Sequence, residues 1–260
     1  IAADGAVWAV HRSPTGAAEA RSSMHRIAAD GVTRWTDRSL CRANDLFVSP
    51  DARRALVTLD RGACGGAGRM AEEVFGLERG GVALVDLDSG STAPLFSGLD
   101  IPNGVAMTAA LNGGGRAVEW LAVAETRSKR IRWTPASTLD ADIAARPALK
   151  TSLAGGPDNI NALRDGRGGL LVTSHDDLMR LFAHMKAPGW FDPPGATVSV
   201  IWPPSTDGGP PPAQTGLKIP GELYAGATAA AYDGDGLLVV GSAVETGLLV
   251  CDWTPPAPTG

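Results

Sequence analysis

The feature that most constrains this chain is a short segment that recurs along it. Ala43-Asn44-Asp45-Leu46-Phe47-Val48, Pro102-Asn103-Gly104-Val105-Ala106-Met107 and Asp158-Asn159-Ile160-Asn161-Ala162-Leu163 each place an Asn at the mouth of a short apolar run. The three Asn are 59 and then 56 residues apart. A weaker fourth copy runs from Gly226 to Ala231, with Thr228 lying 69 residues after Asn159. Each copy is followed by a turn rich in Pro, Asn, Asp or Gly, and then by an apolar strand: Ala55 to Thr58, Trp120 to Ala124, Leu170 to Thr173, Leu237 to Val240. A third strand follows each: Val82 to Val85, Arg130 to Trp133, Val198 to Ile201, Leu248 to Cys251. Short strands at regular spacing with such turns predict an all-β fold. A unit of ~40–50 residues carrying four strands favours a β-propeller, in which each repeat is one blade.

The chain has 260 residues, room for one large all-β domain. It opens in mid-blade, at Ala6 to Val10 and Ser23 to Ile27, and ends after a third strand. The expectation is a single propeller domain over residues 1–260. It is of the six-bladed type, present as about four and a half blades with N-terminal blades missing, since a ring must close to remove its strand edges. Loop insertions are expected near 61–81 and 203–220. The Gly-rich stretch Cys64 to Gly68 lacks the Lys-Ser/Thr of a phosphate-binding loop and reads as a flexible insertion. With 33 Gly and 19 Pro, long helices should be few.

Charge and cysteine usage narrow the partners. A net charge of −5 argues against nucleic acid, which calls for a basic stripe. No run approaches the ~18 apolar residues of a membrane span, so no transmembrane segment is expected. The three Cys, Cys41, Cys64 and Cys251, form no CxxC pair, which disfavours zinc. Their odd number leaves at least one without a partner in this chain.

The first strand of each propeller blade lines a central channel, so equivalent residues should meet there. This groups Asn44, Asn103 and Asn159 with the neighbouring Asp158. Amide and carboxylate oxygens with few charges suit Ca²⁺, which accepts ~6–8 oxygen ligands in flexible geometry. Imidazole and thiolate are missing from these positions, which disfavours zinc and copper. Asn, Asp and Gly are also common turn residues. Repetition at blade-equivalent positions is what favours a ligand set over a row of turns. His175 ends a strand on the blade carrying Asp158 and is a further candidate at the channel rim, whereas His25 and His184 read as surface residues. Trp190 and Phe191 lie in a Gly/Pro loop, where they either line an entrance or anchor the loop.

These segments, in this order, resemble the serum paraoxonase/arylesterase family of six-bladed, calcium-dependent propellers. Asn44-Asp45-Leu46 is similar to that family's Asn-Asp-Ile segment. Pro102-Asn103-Gly104-Val105 with Ala122-Val123-Ala124-Glu125, and Asp158-Asn159-Ile160 with Val172-Thr173-Ser174-His175, resemble its next two blades. The resemblance implies a calcium-dependent hydrolase of aryl esters or lactones, with a small-molecule ester or lactone as substrate. It implies Asn44, Asn103, Asp158 and Asn159 as ligands of a catalytic calcium, Asp45 as a ligand of a second, structural calcium, and His11 as one of two histidines that activate water. A family Glu ligand and the other histidine have no match in this chain. Cys251 matches a cysteine bonded to an N-terminal one, so the resemblance implies a disulfide to a cysteine outside this chain. It also favours a secreted or extracellular location. A gluconolactonase-like or strictosidine-synthase-like propeller is a second reading. A non-catalytic interaction platform is a third, because fold does not fix function.

Overall fold

The structure, a computed structural model, describes residues 5–12, 22–111, 117–136, 148–188, 190–205 and 213–257. Among these the chain forms five antiparallel sheets, each a meander in which successive strands are neighbours. The first holds β1 (Val7–Arg12), β2 (Ser22–Ala28) and β3 (Gly31–Trp35). The second holds β4 (Ala43–Val48), β5 (Arg54–Leu59), β6 (Gly80–Asp86) and β7 (Thr92–Leu99). The third holds β8 (Pro102–Leu111), β9 (Ala117–Glu125), β10 (Arg130–Pro135) and β11 (Leu149–Ser152). The fourth holds β12 (Gly156–Ala162), β13 (Leu170–His175), β14 (Ala196–Ile201) and β15 (Ala213–Ile219). The fifth holds β16 (Ala227–Tyr232), β17 (Leu237–Ser242) and β18 (Leu249–Asp252).

This is a propeller of five blade sheets, which corrects the expected six-bladed type present as four and a half blades. Dividing strands by four undercounts the blades, because the first and last sheets have three strands and each is a separate blade. Two insertions also differ from expectation. Residues 61–81 contain a helix, α1 (Gly66–Phe75), closed by Gly76 in the left-handed region. A disulfide joins Cys41 to Cys64 just ahead of this helix. The 203–220 excursion ends in the regular strand β15, and its residues 206–212 lie outside the described ones. A second helix, α2 (Leu178–Lys186), follows β13, with the Asp177 carboxylate accepting the Arg180 N–H at its start. No described helix is long and apolar enough to cross a membrane.

The described residues fall into two compact units, divided after Val105. In the first unit, Met24, Leu40, Ala43, Val57 and Val85 form the core, with Trp8, Val10 and Trp35 of the first sheet packed against them. In the second, β13 is buried on both faces. Alternation along the strand sends Leu170 and Val172 toward Trp133, Ile131 and Ala124, while Leu171 packs with Leu238 and Val240. Trp133 is fully buried, and its indole N–H donates to Thr151 Oγ1 at 2.9 Å, so this large side chain carries no polar penalty.

Candidate functional site

The repeated segment acquires its shape from a repeated defect in strand pairing. In β4, Ala43 pairs with Leu59 and the next pair is Leu46 with Val57, so Asn44 and Asp45 together face the single residue Thr58. In β12, Pro157 pairs with Ser174 and Ile160 with Val172, so Asp158 and Asn159 face Thr173. In β16, Thr228 is the extra residue between the Ala227–Ser242 and Ala229–Gly241 pairs. A bulge of this kind inserts a residue, bends the strand and re-aims its side chains, and bulges are frequent beside active sites. The predicted residues Asn44, Asp45, Asp158 and Asn159 therefore share one local geometry, set at the same end of their blades.

In the first unit the bulge is tied down. Thr58, fully buried, accepts the Asp45 N–H at 3.0 Å and donates to the Asn103 carbonyl. Asp45, expected at a second calcium, has Oδ2 committed to the Val105 N–H at 3.0 Å. Asn103, second residue of β8, is half-buried, and its Oδ1 is buried without a hydrogen-bond partner. Just ahead of it, Ile101 holds φ at +52°. A β-branched residue in that region costs roughly 1–3 kcal/mol, and it persists only where the surroundings impose it. Asn44 is half-buried on β4.

His11 lies at the exposed end of β1, and its ring centroid is 5.7 Å from that of His25. His25, expected as a bare surface residue, is half-buried and shares a 2.9 Å hydrogen bond with Ser23 Oγ. Partial burial, with Arg34 and His11 nearby, holds the His25 imidazole below its usual range. Just past the end of β5, Asp60 is buried and accepts from Arg12 at 2.8 Å and from Arg42 at 3.0 and 3.1 Å.

In the second unit the strand end that follows the bulge carries His175. It is 2% exposed, and its Nε2 lies 2.8 Å from Oδ2 of Asp158, itself 8% exposed. An ionised carboxylate can only accept, so Nε2 carries the proton. Nδ1 of His175, Oγ1 of Thr173 and Oγ of Ser174 are all buried without a hydrogen-bond partner. Each such group forfeits roughly 1–3 kcal/mol of lost solvation, so three in consecutive residues need a reason. Asn159 spends its amide N–H on the Thr228 carbonyl at 3.1 Å, which leaves its own Oδ1 as an acceptor. Asn161 repeats the contact one step outward, to the Ala230 carbonyl at 3.0 Å. Gly155 has to be Gly, because a Cβ there would collide with the His175 carbonyl. At the matching end of β9, Glu125 is fully buried against Arg130 and Arg132 at 2.6 and 2.8 Å. Burial pushes its carboxyl up, but the two guanidiniums more than offset this and hold it below the usual range.

The donor chemistry is compatible with calcium. The open side-chain atoms of Asn103, Thr173 and Ser174 are oxygens, and Asn103 Oδ1 is a buried acceptor with no protein donor. Among the described residues, no group of three or more His, Cys, Asp or Glu side chains is placed to hold a metal. Amide oxygens are further donors, and the predicted set contains one carboxylate per unit beside its amides. Sequence reasoning missed Thr58 and Thr173, although the recurrence of Leu-Val-Thr at Leu56 to Thr58 and Leu171 to Thr173 was a usable signal. Cys251 carries a free thiol, half-buried on β18, and burial followed by the charge of Asp252 pushes it up. Trp190 is 87% exposed, and the Phe191 carbonyl lies 3.0 Å from His184 Nδ1.

No family model matches the chain, and no curated protein matches it in sequence. Several solved structures are similar to it at low identity. A luciferin-regenerating enzyme is 16% identical over 66% of this chain and 51% of its own, with a TM-score of 0.40. The β-propeller domain of the Trilobed protease from Pyrococcus furiosus is 9% identical over 95% of this chain and 65% of its own, with a TM-score of 0.42. A Bacteroides uniformis protein described as a 6-phosphogluconolactonase is 11% identical over 98% of this chain and 81% of its own, with a TM-score of 0.44. The chain thus spans about half to two thirds of the length of the first two. Likeness at this level carries no argument about activity.

Proposed function

We propose that the protein is a calcium-dependent hydrolase of aryl esters or lactones, with Asn44 and Asn103 in the first unit and Asp158 and Asn159 in the second as oxygen donors to calcium. The observation that carries this reading is the recurrence of one bulge, which gives Asn44-Asp45 and Asp158-Asn159 the same local geometry in separate blades. The partnerless Asn103 Oδ1 and the spare Oδ1 of Asn159 supply acceptors of the type calcium takes. The chemistry a bound calcium supplies is polarisation of the substrate carbonyl. His11, exposed at the end of β1, takes a proton from the attacking water.

The test is hydrolysis of phenyl acetate and of a simple lactone by the whole protein, with and without a calcium chelator. Turnover should vanish on chelation and return with Ca²⁺ but not Mg²⁺. Asn103→Ala and Asp158→Asn should each lower kcat/KM by at least ~10-fold, the effect of losing one metal ligand contact worth about 1.4 kcal/mol. Turnover that ignores the chelator would remove the metal from the reading.

A further inference from the structure

We propose that His175 is a positioning residue that holds the Asp158 carboxylate in the orientation calcium requires. The inference rests on the calcium reading above and assigns a residue to it. Three observations support it. The first is contact: Nε2 of His175 and Oδ2 of Asp158 are 2.8 Å apart, and both side chains are buried. One carboxylate oxygen is thereby committed, and the other is left for a cation. The second is position. Just past the end of β5, the matching residue is Asp60, whose carboxylate is taken up by Arg12 and Arg42. At the end of β9 it is Glu125, held by Arg130 and Arg132. Of these three strand ends, the one on β13 turns its side chain onto a predicted ligand. The third is cost. His175 leaves Nδ1 buried without a partner, so the ring is poorly justified by stability. The Nε2–H bond to Asp158 is what the buried ring provides. Partners that orient metal-binding groups in this way typically carry a ~10–100-fold share of metal affinity.

The test exploits the reach of two amide side chains. The amide nitrogen of Gln is the same number of bonds from the backbone as Nε2 of His, whereas that of Asn falls short, at the position of Nδ1. Ca²⁺ affinity is measured by calorimetry on the whole protein and on His175→Gln, His175→Asn and His175→Ala. In parallel, the luminescence lifetime of bound Eu³⁺, a stand-in for Ca²⁺, counts coordinated water. His175→Asn and His175→Ala should weaken Ca²⁺ binding by ~10–100-fold and add coordinated water, while His175→Gln should stay near wild type in both. Thermal unfolding without calcium reports the purely structural loss of each variant separately from its effect on Ca²⁺ binding. If His175→Asn or His175→Ala binds Ca²⁺ as tightly as wild type, or if His175→Gln is as impaired as His175→Asn, the positioning role is overturned and the calcium reading stands. If the wild-type protein does not bind Ca²⁺, or if Asp158→Asn binds it unchanged, both fall together.

Discussion

The bulge on β4 and the bulge on β12 are the same construction carrying different loads. Each sets an Asn/Asp pair against one threonine of the neighbouring strand. On β4 the threonine is fully used: Thr58 serves the Asp45 N–H and the Asn103 carbonyl, while Asp45 serves Val105. On β12 the threonine is idle, and Ser174 and His175 beside it also leave buried atoms unpaired. A locked bulge stabilises the fold. A bulge with unspent polar groups keeps them for something other than folding, at a local cost in stability. By this contrast β4 supplies rigidity and β12 supplies adjustable chemistry.

The contrast can be broken first at the strand ends. Asp60→Ala strands the largely buried Arg42 side chain, and frees the more exposed Arg12, and should cost ~3–5 kcal/mol, the usual penalty for removing one member of a buried ion pair. His175→Ala takes one donor from the buried Asp158 carboxylate but strands no cation, and should cost less, about 1–3 kcal/mol. Urea unfolding of both variants gives the comparison directly, and equal losses would erase the distinction between the strand ends. The next effect concerns the Cys41–Cys64 bond, which spans a sequence separation of 23 residues and belongs to the locked side. Its removal by Cys64→Ser should cost ~2–4 kcal/mol, according to the loop it releases. The midpoint of thermal unfolding should fall accordingly, and a matching fall in wild type on adding a thiol reductant would verify the cause. The smallest and most discriminating pair is Thr58→Val against Thr173→Val. The first orphans an N–H and a carbonyl and should cost ~1–3 kcal/mol. The second deletes a hydroxyl that has no partner and should be neutral or slightly stabilising. If Thr173→Val proves as costly as Thr58→Val, the idle threonine is not idle.

Much of this was legible in the sequence, and the part that was not has physical causes. The blades were legible because the Asn-led segment and the two following apolar runs recur, and a strand period is a local property. The bulges were not, since a bulge exists only relative to a pairing partner that the sequence does not name. Blade number failed because the first and last sheets have three strands among the described residues, so the number of strands does not give the number of sheets. Helix α1 was hidden by Gly65, Gly66 and Gly68, which lower helix propensity by about 1 kcal/mol each relative to Ala. Helix α2 had a usable signal in Asp177, a good N-cap residue ahead of a run of strong helix formers. The Cys41–Cys64 bond was unreadable, because spacing alone cannot choose among three cysteines. Asp158 was expected as a ligand. The buried His175 that grips it was named only as a rim candidate, since nothing local ties residue 158 to residue 175.

The Val105 N–H, bonded to the Asp45 carboxylate, has a consequence for how the first unit comes apart. Val105 lies near the start of β8, the first strand of its blade, while Asp45 lies near the start of β4, the first strand of the blade before it. These two strand starts cannot separate without exposing that amide to solvent. Its deuterium exchange rate would therefore time the parting of Asp45 from Val105 within the first unit, independently of the strands on either side. An amide that exchanges no faster than those in the middle of β5 would mean that this contact is lost only when the unit unfolds as a whole.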